Sequence, residues 1–161
     1  MYIRNAYEAD LITIVDIYNQ SIPGGLATAD TEPITVASRL DWYHNRLQNR
    51  PLWVAIKDDQ IVAWLSWQNF YGRPAYLHTA EVSIYVATAY QNQGIGKQLL
   101  NSAIAHSPKL QLTTLLGFIF AHNHPSLNLF ISHGFSQWGY LPDVALMEGI
   151  NRSLVILGRK V

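Results

Sequence analysis

The sequence predicts one mixed α/β domain over residues 1–161, with a central sheet flanked by helices. Three observations lead there. Leu11, Ile14, Val15, Tyr18 and Ile22 recur with the 3.6-residue period of an amphipathic helix. Residues Ala80 to Val86 alternate, with Glu81, Ser83 and Tyr85 on one strand face and Val82, Ile84 and Val86 on the other. Directly after them, Tyr90-Gln91-Asn92-Gln93-Gly94-Ile95-Gly96-Lys97-Gln98-Leu99-Leu100 runs from a glycine-bearing turn into a second helical stripe.

The elements follow in order. Tyr2 to Arg4 reads as a short first strand, and Asn5 to Glu8 has the spacing of a capping box for the first helix. Ile22-Pro23-Gly24-Gly25 stops that helix. A second helix is expected from Thr35 to about Asn49, with Val36, Leu40, Tyr43 and Leu47 on one face. Residues 52–56 and 61–65 flank the polar turn Lys57-Asp58-Asp59-Gln60 as a hairpin. After the strand at 80–86 comes a helix to about His106 that turns Ile95, Leu99, Leu100, Ala103 and Ile104 inward. Leu115 to Phe120 is a buried-strand candidate, and a short helix begins near Asn123-His124-Pro125-Ser126. Gly134 ends that helix, and Ser153 to Leu157 supplies a last strand. The order is β-α-α-β-β-β-α-β-α-β-β, with no linker or internal repeat.

Composition narrows the function. Apolar residues make up 49% of the chain, which excludes a disordered chain. Eleven basic residues balance eleven acidic ones without a Lys/Arg run, so nucleic acid is not an expected partner. The chain has no cysteine, which excludes disulfides, thiolate-held zinc and a cysteine nucleophile. Met1 to Glu8 does not read as a signal peptide, and no segment reaches the length of a membrane span. A cytoplasmic domain without membrane contact is the expectation. His122-Asn123-His124 is a His-x-His, but loop histidines without a carboxylate cluster point to structural roles, so no metal is expected.

The glycine turn is neither of two familiar phosphate loops. Leu99 stands where a Rossmann fingerprint needs its third glycine, and Gln98 stands where a P-loop needs Ser or Thr. Gln91-x-x-Gly94-x-Gly96 after a strand ending Tyr85-Val86 instead resembles the acyl-CoA pyrophosphate loop of the GNAT superfamily of N-acetyltransferases. Asn123-x-x-Ser126-x-x-Leu129, closed by Gly134-Phe135, resembles that superfamily's second cofactor-side element, and the order of elements agrees along nearly the whole chain. Arg73-Pro74-Ala75-Tyr76 and Thr79-Ala80-Glu81-x-Ser83-x-Tyr85-Val86 resemble one branch, the phosphinothricin acetyltransferases and their relatives that acetylate methionine sulfone and sulfoximine. Ile17-Tyr18-Asn19 and Arg39-Leu40-Asp41-Trp42-Tyr43 are similar to that branch too.

The resemblance implies a GNAT fold, acetyl-CoA as co-substrate and a small-molecule amine as acceptor, the α-amine of an amino-acid analogue. It implies that backbone groups at Tyr85 and Val86 pair with the pantetheine arm. The amides of Gln93, Gly94, Ile95, Gly96 and Lys97 would point at the pyrophosphate, helped by the helix dipole, with Gln91 and Asn92 in the same cofactor-binding turn. Lys97 is either a point charge in that cradle or an exposed helix lysine. Asn123 either bonds the pantetheine or caps its helix, with Ser126 beside it. Glu81 is the candidate general base for direct attack by the amine, against the alternative of a structural carboxylate. The backbone N–H of Val86 is the candidate oxyanion contact. Arg73 and Tyr76 are candidates for the acceptor's acid group, with Ser83 lining the same cleft, while a solvated loop charge is the alternative for Arg73.

Two departures stand out. Many GNAT members place Tyr, and phosphinothricin acetyltransferases often His, seven residues after the Asn, where this chain has Phe130; Tyr85, Tyr140 or a water would then supply the proton, or the thiolate leaves unaided. Near the C-terminus the branch's Lys and Gly-x-Trp-x-Asp are replaced, with Met147 for the Lys, Asn151 for the Trp and Ser153 for the Asp. Other acceptors (a polyamine or a peptide N-terminus) and a non-catalytic acyl-CoA-binding domain are the competing readings. The aromatic run Trp64, Trp67, Phe70 and Tyr71 suits a core and the interface of a homodimer.

Overall fold

The apolar stripe that begins at Leu11 becomes helix α1, Leu11–Gln20, in a computed structural model that describes residues 1–161. It buries Leu11, Ile14, Val15, Ile17 and Tyr18. A single 3₁₀ turn at Glu8–Asp10 leads into it, and there the capping differs from expectation. The carboxylate that satisfies an orphan amide is Asp10, which accepts from the Tyr7 N–H at 2.7 Å, not Glu8. Burial works against the charged form of Asp10. Bonds from Arg4, at 2.6 and 3.1 Å, and from Tyr7 outweigh it and hold the carboxyl below its ordinary pKa. Glu8 faces solvent and pairs with His44 at 3.0 Å.

The second helix is far shorter than the periodicity of 35–49 suggests. A 3₁₀ turn at Ala37–Arg39 runs into α2, Leu40–His44, and the chain leaves helical geometry at Asn45. The reason lies downstream. Arg46 gives its guanidinium to the carbonyls of Arg50, Pro51 and Trp67, which anchors it to the sheet rather than to another helical turn.

The sheet has seven strands in the order β1-β2-β3-β4-β5-β7-β6: β1, Tyr2–Asn5; β2, Leu52–Lys57; β3, Gln60–Asn69; β4, Thr79–Val86; β5, Thr114–Phe120; β6, Ser136–Met147; β7, Ile150–Lys160. All neighbours are antiparallel except β4 and β5. The β2–β3 turn is tighter than the four-residue loop expected, because Asp58 and Asp59 both take positive φ. The closing pair is a long hairpin turned at Glu148-Gly149, so the last strand extends well beyond Ser153–Leu157 at both ends. Pro142 sits where the β6 register slips between Leu141 and Ala145, a position an edge strand tolerates.

Helices α3, Ile95–His106, and α4, His124–Ile131, cover one face of the sheet. Trp67, Leu65 and Ala63 of β3 pack there with Ala80 and Val82 of β4 and Ile95, Leu99, Leu100 and Ala103 of α3. Helix α1 covers the other face around Trp64, Val54 and Ile56. Where α4 meets β5, the Phe130 ring lies directly on Gly117, and a Cβ at Gly117 would come within 2.8 Å of it. Gly117→Ala is therefore expected to destabilise the fold by about 1–3 kcal/mol, read as a lower urea midpoint. Adding Phe130→Leu should return most of that loss, and strict additivity of the two changes would rule out the contact.

Candidate active site

Strands β4 and β5 run parallel for only three residue pairs, Thr79 with Thr114, Ala80 with Leu115 and Glu81 with Leu116, and then part. β3 stays paired to β4 as far as Val86. Ala87 donates to the Val62 carbonyl at 2.8 Å, so antiparallel alternation turns the main-chain groups of Val82, Ile84 and Val86 away from β3. They face the gap left by β5. An extended chain entering this gap would meet the amides and carbonyls of a strand edge.

The gap opens into a cleft of about 430 Å³ whose walls include Ile84, Tyr85 and Val86 on β4, Ile95 to Lys97 on α3, and Asn123, Ser126, Leu129 and Phe130 at α4. Ser21, Leu26 and Ala27 close it from the α1–α2 loop. His122 holds that loop in place by donating from Nε2 to the Gly25 carbonyl at 2.8 Å. At the outer end of the cleft α3 begins. Gly94 caps it in a left-handed conformation, φ 77°, with open space where a Cβ would be. Gln98 is the first residue of this segment whose amide finds a helical acceptor, the Gly94 carbonyl at 3.1 Å. The amides of residues 92–97 therefore have no backbone partner, and the positive end of the α3 dipole lies at the cleft. No acidic side chain lines the cleft and Lys97 does. These features fit an acyl-CoA: strand edges for its amide-bearing arm and a helix N-terminus for its pyrophosphate.

Side chains brace the turn. Gln91 donates from Nε2 to the Val86 carbonyl at 3.3 Å, and Gln93 from Nε2 to the Ala89 carbonyl at 3.2 Å. Lys57 bonds the Gln93 amide oxygen at 2.8 Å. Gln93 thus turns its side chain away from the cleft and can offer only its backbone. Asn123 resolves toward its capping role, since its Oδ1 accepts from the Ser126 amide at 3.2 Å, while it remains buried in the cleft wall.

Glu81, Ser83 and Tyr85 lie on the opposite face of β4, toward α1 and α2. Tyr85 stacks on Trp64 at 4.6 Å between ring centroids and meets the edge of Tyr18 at 5.0 Å. Burial pushes the Tyr85 phenol well above its ordinary pKa, and the neighbouring Tyr18 and Glu81 add to this. Glu81 is half-buried beside the last β4–β5 pair. Burial raises its pKa, and a hydrogen bond from Ser83 pulls the other way.

The structure brings all the predicted cofactor residues except Gln93 to one cleft. It keeps Glu81 and Ser83 together on the other side. It does not bring Arg73 to any partner; Arg73 sits exposed ahead of the 3₁₀ turn Pro74–Tyr76. Tyr76, 41% exposed, packs edge-on to Phe70 at 5.4 Å, and Phe70 stacks on Phe118 of β5 at 6.3 Å. Sequence reasoning missed Ile84, whose main chain faces the gap, and the loop residues Ser21, Leu26 and Ala27. Only strand register reveals the first, and only tertiary folding the others. A second hollow of about 570 Å³ opens between the α1–α2 loop and the β6–β7 hairpin. Asp30, Glu32 and Glu148 on its walls suit it poorly to phosphates. No group of three or more His, Asp or Glu residues is close enough to hold a metal ion.

Known proteins resemble this chain in sequence and in fold. The chain is 46% identical to YwnH of Bacillus subtilis (strain 168) over 162 residues, covering 100% of this chain and 99% of that one. It is 28% identical over 150 residues to the L-methionine sulfoximine/L-methionine sulfone acetyltransferase of Salmonella typhimurium (strain LT2), covering 92% of this chain and 88% of the relative. The structure of a GNAT superfamily phosphinothricin acetyltransferase from Sinorhizobium meliloti, solved in complex with AcCoA, superposes with a TM-score of 0.90 at 25% identity, covering 99% of this chain and 88% of that one. The Acetyltransferase (GNAT) family profile matches residues 12–135, the span that carries both strands of the gap, the unpaired amides of α3 and the Asn123 cap, and the chain belongs to this family.

Proposed function

We propose that this protein moves an acetyl group from acetyl-CoA to the α-amine of a small amino-acid analogue of the phosphinothricin, methionine sulfoximine or methionine sulfone type, with Glu81 as general base. The chain is an acetyl-CoA-dependent N-acetyltransferase of the GNAT family; the acceptor and the role of Glu81 are our reading. One observation carries that role. A half-buried carboxylate with a raised pKa stands at the residue pair where β4 and β5 part, on the face opposite the acyl-CoA cleft. The names of the relatives support the acceptor class.

Bound acetyl-CoA supplies an activated thioester carbonyl. The residues of the chain do the rest. The amides of residues 92–97 hold the pyrophosphate, and the Val86 and Ile84 edges align the arm. The Val86 N–H, which faces the gap, is placed to stabilise the oxygen on which charge develops. Glu81, directly or through a water, takes the proton from the ammonium so that nitrogen attacks directly; the chain has no cysteine to carry the acetyl group between two steps. Ser83 orients the Glu81 carboxyl. Arg73, exposed and uncommitted, is free to swing toward an acceptor carboxylate or phosphinate, with Tyr76 beside it. The decisive assay incubates the protein with acetyl-CoA and follows thiol release over phosphinothricin, methionine sulfoximine, methionine sulfone, a polyamine and a peptide N-terminus. Release with the last two alone would overturn the acceptor assignment.

The exposed edge of β6 also favours a homodimer. Trp138, Tyr140, Val144 and Leu146 are each about half exposed or more on an unpaired edge strand, and an antiparallel edge is self-complementary about a two-fold axis. A second copy of this chain is the occupant we assign to it.

Four outcomes follow. Glu81→Gln lowers kcat by about 10²- to 10⁴-fold while the Kd for acetyl-CoA, measured by calorimetry, stays unchanged. In the wild type, activity is lost as pH falls through the Glu81 pKa. Because burial raises that pKa, the acid limb of kcat/KM lies above the ordinary carboxylate range, and Glu81→Gln removes the limb. Gly94→Val, which forces a β-branched residue into φ 77° at the start of α3, weakens acetyl-CoA at least about tenfold, with the circular dichroism spectrum retained. Leu146→Asp converts a dimer to a monomer in light scattering, and a wild type that is already monomeric would refute the dimer.

A further inference from the structure

Two arginines carry charge into this protein without an acidic partner. Arg50 is 3% exposed, and burial lowers its pKa. Arg46 is largely enclosed, and burial pulls its pKa down to about 10. The ion pairs of the chain are Arg4 with Asp10, Arg39 with Asp30 and His44 with Glu8, so neither buried guanidinium meets a carboxylate.

Backbone carbonyls satisfy part of their hydrogen-bonding capacity. Arg46 donates from Nε to Arg50 at 3.0 Å and from Nη2 to Pro51 and Trp67 at 2.9 and 2.7 Å. Arg50 donates from Nη1 to Asn49 at 2.9 Å and from Nη2 to Leu77 and Thr79 at 2.7 and 3.4 Å. A carbonyl satisfies an N–H but does not cancel a net charge, and enclosed charges are ordinarily paired. One donor is left over outright: the Nε of Arg50 is buried and has no partner.

Both side chains line one hollow of about 270 Å³, together with Trp42, Gln68 and Asn69. The Arg46 guanidinium lies 4.9 Å from the centroid of the Trp42 ring. Asp41 also borders the hollow but is exposed and pairs with neither arginine. Gln68 is the direct cross-strand neighbour of Glu81, so the hollow ends one strand away from the candidate base. Arg50 also ties down Leu77 and Thr79, the link between Tyr76 and Glu81.

From this geometry we propose that Arg46 and Arg50 form a subsite for a small oxyanion, a carboxylate, phosphinate or phosphate group, received between α2 and the end of β3. Each guanidinium lines the hollow and keeps one nitrogen without a protein partner, Nη1 of Arg46 and the enclosed Nε of Arg50, and a two-oxygen group seated between them would supply the negative charge both lack. The oxyanion is either the acid end of an acceptor whose amine lies at Glu81 or a free anion that neutralises the pair. The subsite itself does not depend on the role of Glu81.

Calorimetric titration of the full chain tests it, with coenzyme A kept saturating so that the α3 cradle is filled. Inorganic phosphate is the probe, and sodium chloride at equal ionic strength is the control. Wild type should bind phosphate specifically. Asn45→Asp, which places a carboxylate on the rim of the hollow and leaves every carbonyl bond of the arginines intact, should weaken it at least tenfold. Arg46→Lys, which keeps the charge and loses the fork, should weaken it as well. Displacement of phosphate by phosphinothricin assigns the subsite to the acceptor, and phosphate that stays bound assigns it to a free anion. No phosphate binding beyond the chloride control, or binding unchanged by Asn45→Asp, overturns the subsite. Because binding is read without turnover, failure to acetylate amino-acid analogues would count against the proposed acceptor and leave this result standing.

Discussion

Two parallel strands that should hydrogen-bond along their whole length instead separate after Glu81 and Leu116, and the rest of this molecule is arranged around that separation. Abandoning a ladder exposes main-chain donors and acceptors, which an isolated fold has no reason to do. Here the surroundings maintain it. β5 keeps its other edge on β7 through Phe120, and β4 keeps its other edge on β3 through Val86, so neither strand can close the gap without breaking a better-formed pairing. α4 leans on β5 through the Phe130–Gly117 contact, while α3 packs on β4, which spaces the two helices as well as the two strands.

The alternation of β4 then divides the chemistry. Val82, Ile84 and Val86 send their side chains toward α3 and their main chain into the gap, where the acyl donor lies on the proposed reading. Glu81, Ser83 and Tyr85 send theirs toward α1 and α2, where aromatic rings are packed. A donor and an acceptor can thus approach one strand from opposite faces and meet only where the sheet is open. The same burial that raises the Glu81 pKa also keeps the Tyr85 phenol protonated.

Much of this was legible in the sequence because it is local. The α1 stripe, the alternation at 80–86 and the glycine turn each follow from a period or a spacing within a dozen residues. The features that escaped are set by partners far along the chain. α2 ends early because Arg46 reaches the carbonyl of Trp67 on β3. β6 shows no usable alternation, since Gly139 and Pro142 interrupt it and its pairing slips twice against β7. Ile84 was overlooked beside Tyr85 because which of the two turns its main chain to the gap depends on register with β3, and only the Ala87–Val62 bond fixes that. Arg73 matched a motif, yet its position in the fold gives it no partner.

Phe130 shows how packing constrains the reaction proposed here. Its ring is only 4% exposed, wedged between Gly117 and Phe135, and it stands where related enzymes carry a proton donor. Tyr85 is the phenol that β4 contributes to the cleft lining, but proton transfer from it to the departing thiolate runs the wrong way. An ordinary phenol near pKa 10 giving its proton to a thiolate whose acid has a pKa near 8.5 is uphill by roughly 2 kcal/mol. Burial moves Tyr85 further in the unfavourable direction. Tyr85 therefore cannot usefully surrender a proton to the sulfur. A thiol of that acidity is already a competent leaving group as the thiolate, so the donor that Phe130 displaced is the one group this reaction can do without. A base, the role proposed for Glu81, is harder to omit, because the acceptor's ammonium cannot attack until it loses its proton.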